Sequence, residues 1–172
     1  MRKIAVIASA SGSGKTTLGR ALAARLAVPF VELDALVHGP NWAETSDDEL
    51  RALLVPILAG EGWVIDGGYW GKIGDLVLSR ADVVVWIDLP LRVWLPRLTR
   101  RTVRRLRGHE EIWNGNRETV CGALCGRDAL LPFALRSHFS RRRTYPARLA
   151  GFPVVRLRAQ SAIDAFLRSA AP

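Results

Sequence analysis

Gly12, Gly14, Lys15 and Thr16 are the residues whose types and spacing speak most directly of chemistry. They lie in the run Ser9-Ala10-Ser11-Gly12-Ser13-Gly14-Lys15-Thr16-Thr17. Small residues let successive backbone N–H groups curl around an anion. An ammonium directly after the last glycine reaches the β- and γ-phosphate oxygens of a nucleotide, and the next hydroxyl is placed to ligate Mg²⁺. Ser11, Gly12, Ser13, Gly14, Lys15, Thr16 and Thr17 are therefore the expected binding residues for a nucleoside triphosphate such as ATP. Ser9 stands where the pattern G-x-x-x-x-G-K-[ST] has its first glycine.

Such a loop works only between a strand and a helix, and both are written around it. Lys3 to Ala8 is an apolar run without alternation, the pattern of a strand buried on both faces. After Lys15 the spacing of Leu18, Leu22 and Leu26 predicts a helix with one apolar face. A chance Gly-Lys-Thr in an ordinary loop would lack these flanks. Two carboxylates follow at strand ends. Val28 to Asp34 reads as a second strand ending in Asp34, and Trp63 to Asp66 as a third ending in Asp66. In an open α/β sheet the ligand crevice lies at the carboxyl ends of the strands. Asp34 is thus placed to orient or deprotonate an acceptor, and an Asp that only caps a turn is the alternative. Asp66 has the position of a carboxylate that holds Mg²⁺ directly or through water, although Asp-Gly is also common turn chemistry. The two can exchange roles at this level of reading.

The cations are gathered in one region. The formal charge of +9 comes from 22 Arg and 3 Lys against 16 acids, and residues 91–148 hold 14 of the Arg with only 4 acids. That half must meet something anionic: triphosphate, nucleic acid or acidic lipid. A helix over 91–107 carries Leu91, Leu95, Leu98, Thr102 and Leu106 on one stripe. Val93, Arg97, Arg100, Arg104 and Arg107 form the other, widened by Arg101 and Arg105. Arg136 to Arg148 forms a second basic patch.

Elsewhere the chain alternates strands and helices. Thr45 to Glu49 opens a helix with Leu50, Leu53, Leu54, Ile57 and Leu58 at helical spacing, which Pro56 is expected to kink or end early. Residues 71–81 read as a short helix. Residues 82–88 form a fourth strand, closed by Leu89-Pro90. Pro96 predicts a bend in the arginine helix. Trp113 to Asn116 reads as a turn, 153–158 as a fifth strand and 160–169 as a last helix. Trp42 either lids an acceptor pocket or covers the core. At 172 residues and 49% apolar composition, one domain over 1–172 is expected. No apolar run approaches 18 residues and no signal-type segment is seen, so we expect a cytoplasmic protein without a membrane partner. Cys121 and Cys125, the only cysteines, have neither the spacing nor the co-ligands of a zinc site and are expected to be reduced thiols.

Strands alternating with helices, with a P-loop after the first, give a parallel three-layer α/β domain with helices on both faces. The Ser-Gly-Ser-Gly-Lys-Thr loop, the endings Leu33-Asp34, Asp66-Gly67 and Asp88-Leu89-Pro90, and the arginine helix after them resemble the adenylate kinase and shikimate kinase group. More narrowly, Val64 to Tyr69, the segment from Trp42 to Asp66 and Trp113 to Glu118 resemble the bacterial adenylate-kinase-related family labelled DNA topology modulation proteins. The resemblance covers nearly the whole chain. It implies the kinase version of the P-loop NTPase fold, with a five-stranded parallel sheet of order 2-3-1-4-5 and a mobile, arginine-rich lid over about 91–148. By position it implies phosphate and Mg²⁺ contacts at Gly12, Gly14, Lys15 and Thr16. Asp34 and Asp66 would line the acceptor side, and arginines from Arg97 to Arg105 would clamp phosphates. Arg97, Arg101 and Arg104 are the expected catalytic cations beside Lys15, Asp34 and Asp66, and Thr16 with Asp66 the expected metal residues. The run after Asp66 lacks the Pro-Arg of adenylate kinases, which counts against AMP as the acceptor.

The leading expectation is phosphoryl transfer from ATP·Mg²⁺ to a small acceptor, with nucleotides among the candidates. The alternative is a nucleotide-switched protein that grips nucleic acid through 91–148, with Trp94, Trp113, Phe133 and Phe139 stacking on bases.

Overall fold

The computed structural model describes residues 1–125 and 129–170. In chain order, β1 (Lys3–Ala8) leads through the glycine loop into α1 (Lys15–Leu26). β2 (Phe30–Glu32) runs directly into α2 (Leu33–Val37), and a 3₁₀ turn at Pro40–Trp42 precedes α3 (Asp47–Ala59). β3 (Trp63–Asp66), the single turn α4 (Trp70–Ile73) and a 3₁₀ turn at Leu78–Arg80 lead to β4 (Val83–Ile87). α5 (Leu91–Gly108) is followed by a small ribbon, β5 (Glu111–Ile112) and β6 (Asn116–Arg117), closed by a 3₁₀ turn at Trp113–Gly115. Then come α6 (Val120–Leu124), α7 (Leu130–Arg148), β7 (Val154–Leu157) and α8 (Gln160–Ser169).

The main sheet is parallel, in the order β2-β3-β1-β4-β7. β7 is its fifth strand in sequence, so this is the expected 2-3-1-4-5 order. Alternate residues of β1 feed opposite layers. Ile4, Val6 and Ala8 pack with Leu18, Leu22 and Leu26 of α1 and Ile163 of α8. Ala5 and Ile7 pack with Leu50, Leu54 and Leu58 of α3 and Trp63 and Ile65 of β3. Both faces are dry, which explains why these strands show no polar alternation. A fully buried leucine such as Leu22 or Leu54 contributes about 2–3 kcal/mol. Ser46 Oγ accepts from the Glu49 N–H at 3.3 Å to cap α3, and Asp47, Asp48 and Glu49 complement its N-terminal dipole.

Several expectations are corrected. β2 ends at Glu32, and Asp34 lies in the first turn of α2. The helix expected over 71–81 is broken at Gly74, whose φ of 56° is left-handed, leaving one turn on each side. Neither Pro56 nor Pro96 ends its helix. Pro56 lies in the closing turns of α3, where the lost N–H bond has few helical residues left to disrupt. Leu53 is 44% exposed, so the core stripe of α3 is Leu50, Leu54 and Leu58. Among the described residues, no helix is long and apolar enough to cross a membrane.

Candidate active site

Parallel strands bring every strand's carboxyl end to one edge, and the glycine loop closes that edge. Gly12 and Gly14 take φ of 77° and 89°, values that glycine adopts without steric cost. An added Cβ on Gly12 would lie 2.8 Å from Leu98 Cβ of α5. Ser13 is buried and donates through Oγ to the Ala10 carbonyl at 2.8 Å, fixing the turn from inside. No side chain caps α1, so its first N–H groups remain open to an anion. Ser11 is half-buried and Thr17 exposed.

Register then fixes the carboxylates. Glu32 of β2 and Asp66 of β3 are direct partners, so their side chains leave the same face of neighbouring strands. Asp66 is fully buried. Its Oδ1 is paired with the Lys15 ammonium and its Oδ2 accepts from Thr16 Oγ1 at 2.6 Å. Burial pushes the Asp66 carboxyl above the usual range, and Lys15 pulls it back. Glu32 Oε1 lies 3.5 Å from the same Thr16 hydroxyl and 3.0 Å from Trp113 Nε1. Thr16 Oγ1 thus sits between two carboxylates, a set of hard oxygen donors of the kind Mg²⁺ uses together with phosphate and water. Sequence reading missed Glu32. The signal was the spacing Glu32-x-Asp34 at a strand end, which puts two carboxylates on the crevice edge.

Asp34 lies beside this group. Tyr69 OH donates to Asp34 Oδ1 and stands 3.3 Å from His38 Nε2. Burial and the Asp34 charge raise the Tyr69 pKa, so the phenol stays protonated and remains a donor. The approach of this ring depends on unusual backbone: Gly67 has φ 131° and Tyr69 itself φ 27°, a strain of about 1–3 kcal/mol for a non-glycine residue. His38, Trp42, Tyr69 and Trp113 gather around one another. Trp42, 44% exposed, belongs to this cluster and not to the core.

The arginines divide. Arg101 is half-buried, and among the described residues its Nε has no hydrogen-bond partner. Burial and then Arg105 lower its pKa, while Glu118 and Asp34 oppose them; a guanidinium so placed keeps its charge. Arg97 points elsewhere, donating to Gln160 at 3.1 Å, and Arg104 is paired with Glu110 at 2.9 Å on the exposed face of α5. Arg141 Nη1 reaches the Ala8 carbonyl at 3.4 Å, and Arg142 Nε lies 3.1 Å from Asp88 Oδ1. Trp94 is fully buried against Leu98 and Ala134, so it offers no face to a base. Trp113 is turned towards Glu32, whereas Phe133 and Phe139 are exposed.

The departure at Ser9 has a structural account. Ser9 is buried; its hydroxyl donates to Asp88 Oδ1 at 2.8 Å and accepts from Trp86 Nε1 at 2.9 Å. Arg156 holds the other oxygen of Asp88 at 2.6 Å and lies over the Trp86 ring.

Comparison with known proteins agrees with this geometry. The shikimate kinase family model matches residues 11–44, the stretch from the glycine loop through Asp34. The shikimate kinase of Ruegeria pomeroyi is 28% identical over 120 residues, 62% of this chain and 62% of that protein. The chain thus spans about three fifths of the length of the curated relatives it matches. Among solved structures, the shikimate kinase of Acinetobacter baumannii in complex with shikimate aligns over 98% of this chain and 90% of its own, with TM-score 0.57 and 18% identity. A gluconokinase from Sinorhizobium meliloti covers 98% and 89%, with TM-score 0.53 and 21% identity. At such identities the structures establish the fold. A glycine loop between strand and helix on a 2-3-1-4-5 sheet, matched by the shikimate kinase model from that loop through Asp34, makes this chain similar to the shikimate kinases in fold and in its phosphate-binding segment.

Proposed function

We propose that this protein transfers the γ-phosphoryl group of ATP to a hydroxyl of a small acceptor. The observation that carries the reading is the convergence of Lys15, Thr16, Asp66 and Glu32 beside Asp34 at one sheet edge. The amides of the glycine loop and Lys15 hold the phosphates, and Arg101 supplies a second cation as charge develops on the transferred group. Thr16, Asp66 and Glu32 would hold Mg²⁺, which when bound neutralises charge on the β- and γ-phosphates. Asp34 accepts the proton of the acceptor hydroxyl, and Tyr69 fixes the carboxylate's orientation by donating to Oδ1. Lys15 then exchanges part of its pairing with Asp66 for phosphate oxygens. We read residues 1–172 as one such domain, acting on cytoplasmic ATP.

The relatives named as shikimate kinase and gluconokinase favour a polyhydroxylated acid as the acceptor, ahead of a nucleoside monophosphate. A ³¹P NMR or coupled-ADP screen of sugar acids, polyols and nucleoside monophosphates with ATP·Mg²⁺ tests this. We expect turnover with a member of the first two classes, lost in Asp34→Asn by a factor on the order of 100 or more while ATP affinity holds. No transfer to any acceptor, together with no ATP binding, would overturn the reading.

A further inference from the structure

The arginine-rich segment touches the acceptor side through the turn at Trp113–Gly115 and the start of β6. Trp113 Nε1 donates to Glu32 Oε1 at 3.0 Å, and its ring stacks on His38 with centroids 5.7 Å apart and planes at 28°. Asn114 Nδ2 donates to the carbonyls of Ala35 at 3.0 Å and His38 at 2.6 Å. These carbonyls belong to the C-terminal end of α2, where helical partners run out. Asn116, itself buried, donates to the Gly39 carbonyl at 2.9 Å and accepts from the Trp42 N–H at 2.9 Å. Asn114 reaches this position with φ 57°, a left-handed conformation that Asn tolerates better than most residues, and Gly115 follows at φ 78°. The short helix that carries Asp34, and Glu32 before it, are therefore held from outside by residues of a distant segment.

The chemistry of the Trp113–Glu32 bond is specific. An indole N–H donates and never accepts, and it is neutral. It fixes the rotamer of a carboxylate without cancelling its charge, as an arginine or lysine would. Arg20 Nη2 lies 3.4 Å from Glu32 Oε2, but Arg20 is exposed, and a pair of that kind holds little. Trp113 is thus the donor that turns Oε1 towards the Thr16 hydroxyl.

We propose that Trp113 is a positioning residue for metal binding: it aims Glu32 at the Mg²⁺ that accompanies the nucleotide, and Asn114 and Asn116 tie that aim to the docking of the arginine-rich segment. This rests on the reading of Thr16, Asp66 and Glu32 as the Mg²⁺-facing residues. Partners that orient a ligating side chain are commonly worth a factor of about 10–100 in metal affinity.

The test is calorimetric titration of the full chain with ATP across a range of Mg²⁺ concentrations. Trp113→Phe keeps an aromatic ring against His38 and removes the N–H together with the five-membered part of the indole. It should leave Mg²⁺-free ATP affinity within about twofold and raise the Mg²⁺ concentration for half-maximal tightening on the order of tenfold. Glu32→Gln should show the same displacement, and the double variant no more than Glu32→Gln alone, because both act through one carboxylate. Asn114→Ala should displace the Mg²⁺ requirement in the same direction, and it carries the test should Trp113→Phe fail to fold by circular dichroism. Equal weakening with and without Mg²⁺, or additive losses in the double variant, would make Trp113 merely structural and end the proposal. A wild-type chain that binds ATP with no Mg²⁺ dependence would remove the metal reading and the proposal together, and one that binds no ATP would remove the phosphotransferase reading itself.

Discussion

The Ser9 hydroxyl donates to the Asp88 carboxylate at 2.8 Å across the ends of adjacent strands β1 and β4. Trp86 Nε1 donates to the same hydroxyl, so a serine in place of the usual glycine links the start of the loop to the fourth strand. Ser9→Gly restores the common loop pattern but leaves the buried indole N–H unpaired and removes one donor from Asp88. We expect a stability loss of about 1–3 kcal/mol in urea denaturation, with ATP affinity changed by no more than a few-fold. Unchanged stability would show that the link is dispensable.

Half-buried Lys15 is paired with the fully buried Asp66, and a nucleotide must share that ammonium. Lys15→Ala should weaken ATP binding by roughly two orders of magnitude, as loss of a charge-assisted contact in a closed site does. It should also destabilise the fold, because Asp66 keeps its burial and loses its cation. Adding Asp66→Asn to Lys15→Ala should recover part of the stability and none of the binding, read by thermal melts and calorimetry in parallel.

The three arginines of α5 singled out by their positions should separate. Arg101→Ala is expected to lower kcat tenfold or more, since its guanidinium is half-buried, feels the Asp34 charge, and has an Nε without a partner among the described residues. Arg97→Ala and Arg104→Ala should change kcat by less than about twofold, because exposed pairs such as Arg104–Glu110 contribute little. Steady-state kinetics on the acceptor found in the screen decide this. An equal loss at Arg97 or Arg104 would mean that α5 turns on substrate binding.

His138 gives the fold a pH limit. It is buried against Trp94, with ring centroids 5.3 Å apart, and among the described residues its Nδ1 has no partner. Burial and then Arg142 hold its pKa below the ordinary 6.5, against a smaller pull from Asp88. A histidine depressed in the folded state stabilises fully above its unfolded pKa, and that contribution is lost as pH falls from there through the folded value. Thermal stability should therefore decline below about pH 6.5, and His138→Leu should flatten that part of the profile. An unchanged acid slope in His138→Leu would assign the decline to another group.

The strands and helices that were legible are those whose burial is one-sided or complete. β1, β3 and β4 are dry on both faces and read as uninterrupted apolar runs, and α1 and α8 show a plain apolar face. α7 was hidden because its buried positions are Ala134, His138 and Tyr145, helically spaced but mostly not apolar in type. α2 is too short to show a period, so Asp34 read as a strand end. The ribbon β5–β6 has two residues per strand and rests on long-range contacts. In the site, the glycine loop and both aspartates were readable because their spacing is local. Glu32, Tyr69 and the inward turn of Trp113 depend on strand register and on a segment distant in sequence. Which arginines face inward depends on how α5 rests against the loop.

That resting contact has a mechanical consequence. Gly12 leaves no room for even one methyl group between the loop and Leu98, so the two surfaces bear on each other directly. Arg101 follows Leu98 by three residues, on the same side of the helix. Any shift of the loop on taking up phosphate would therefore be felt first at Leu98 and, one turn further along α5, at Arg101.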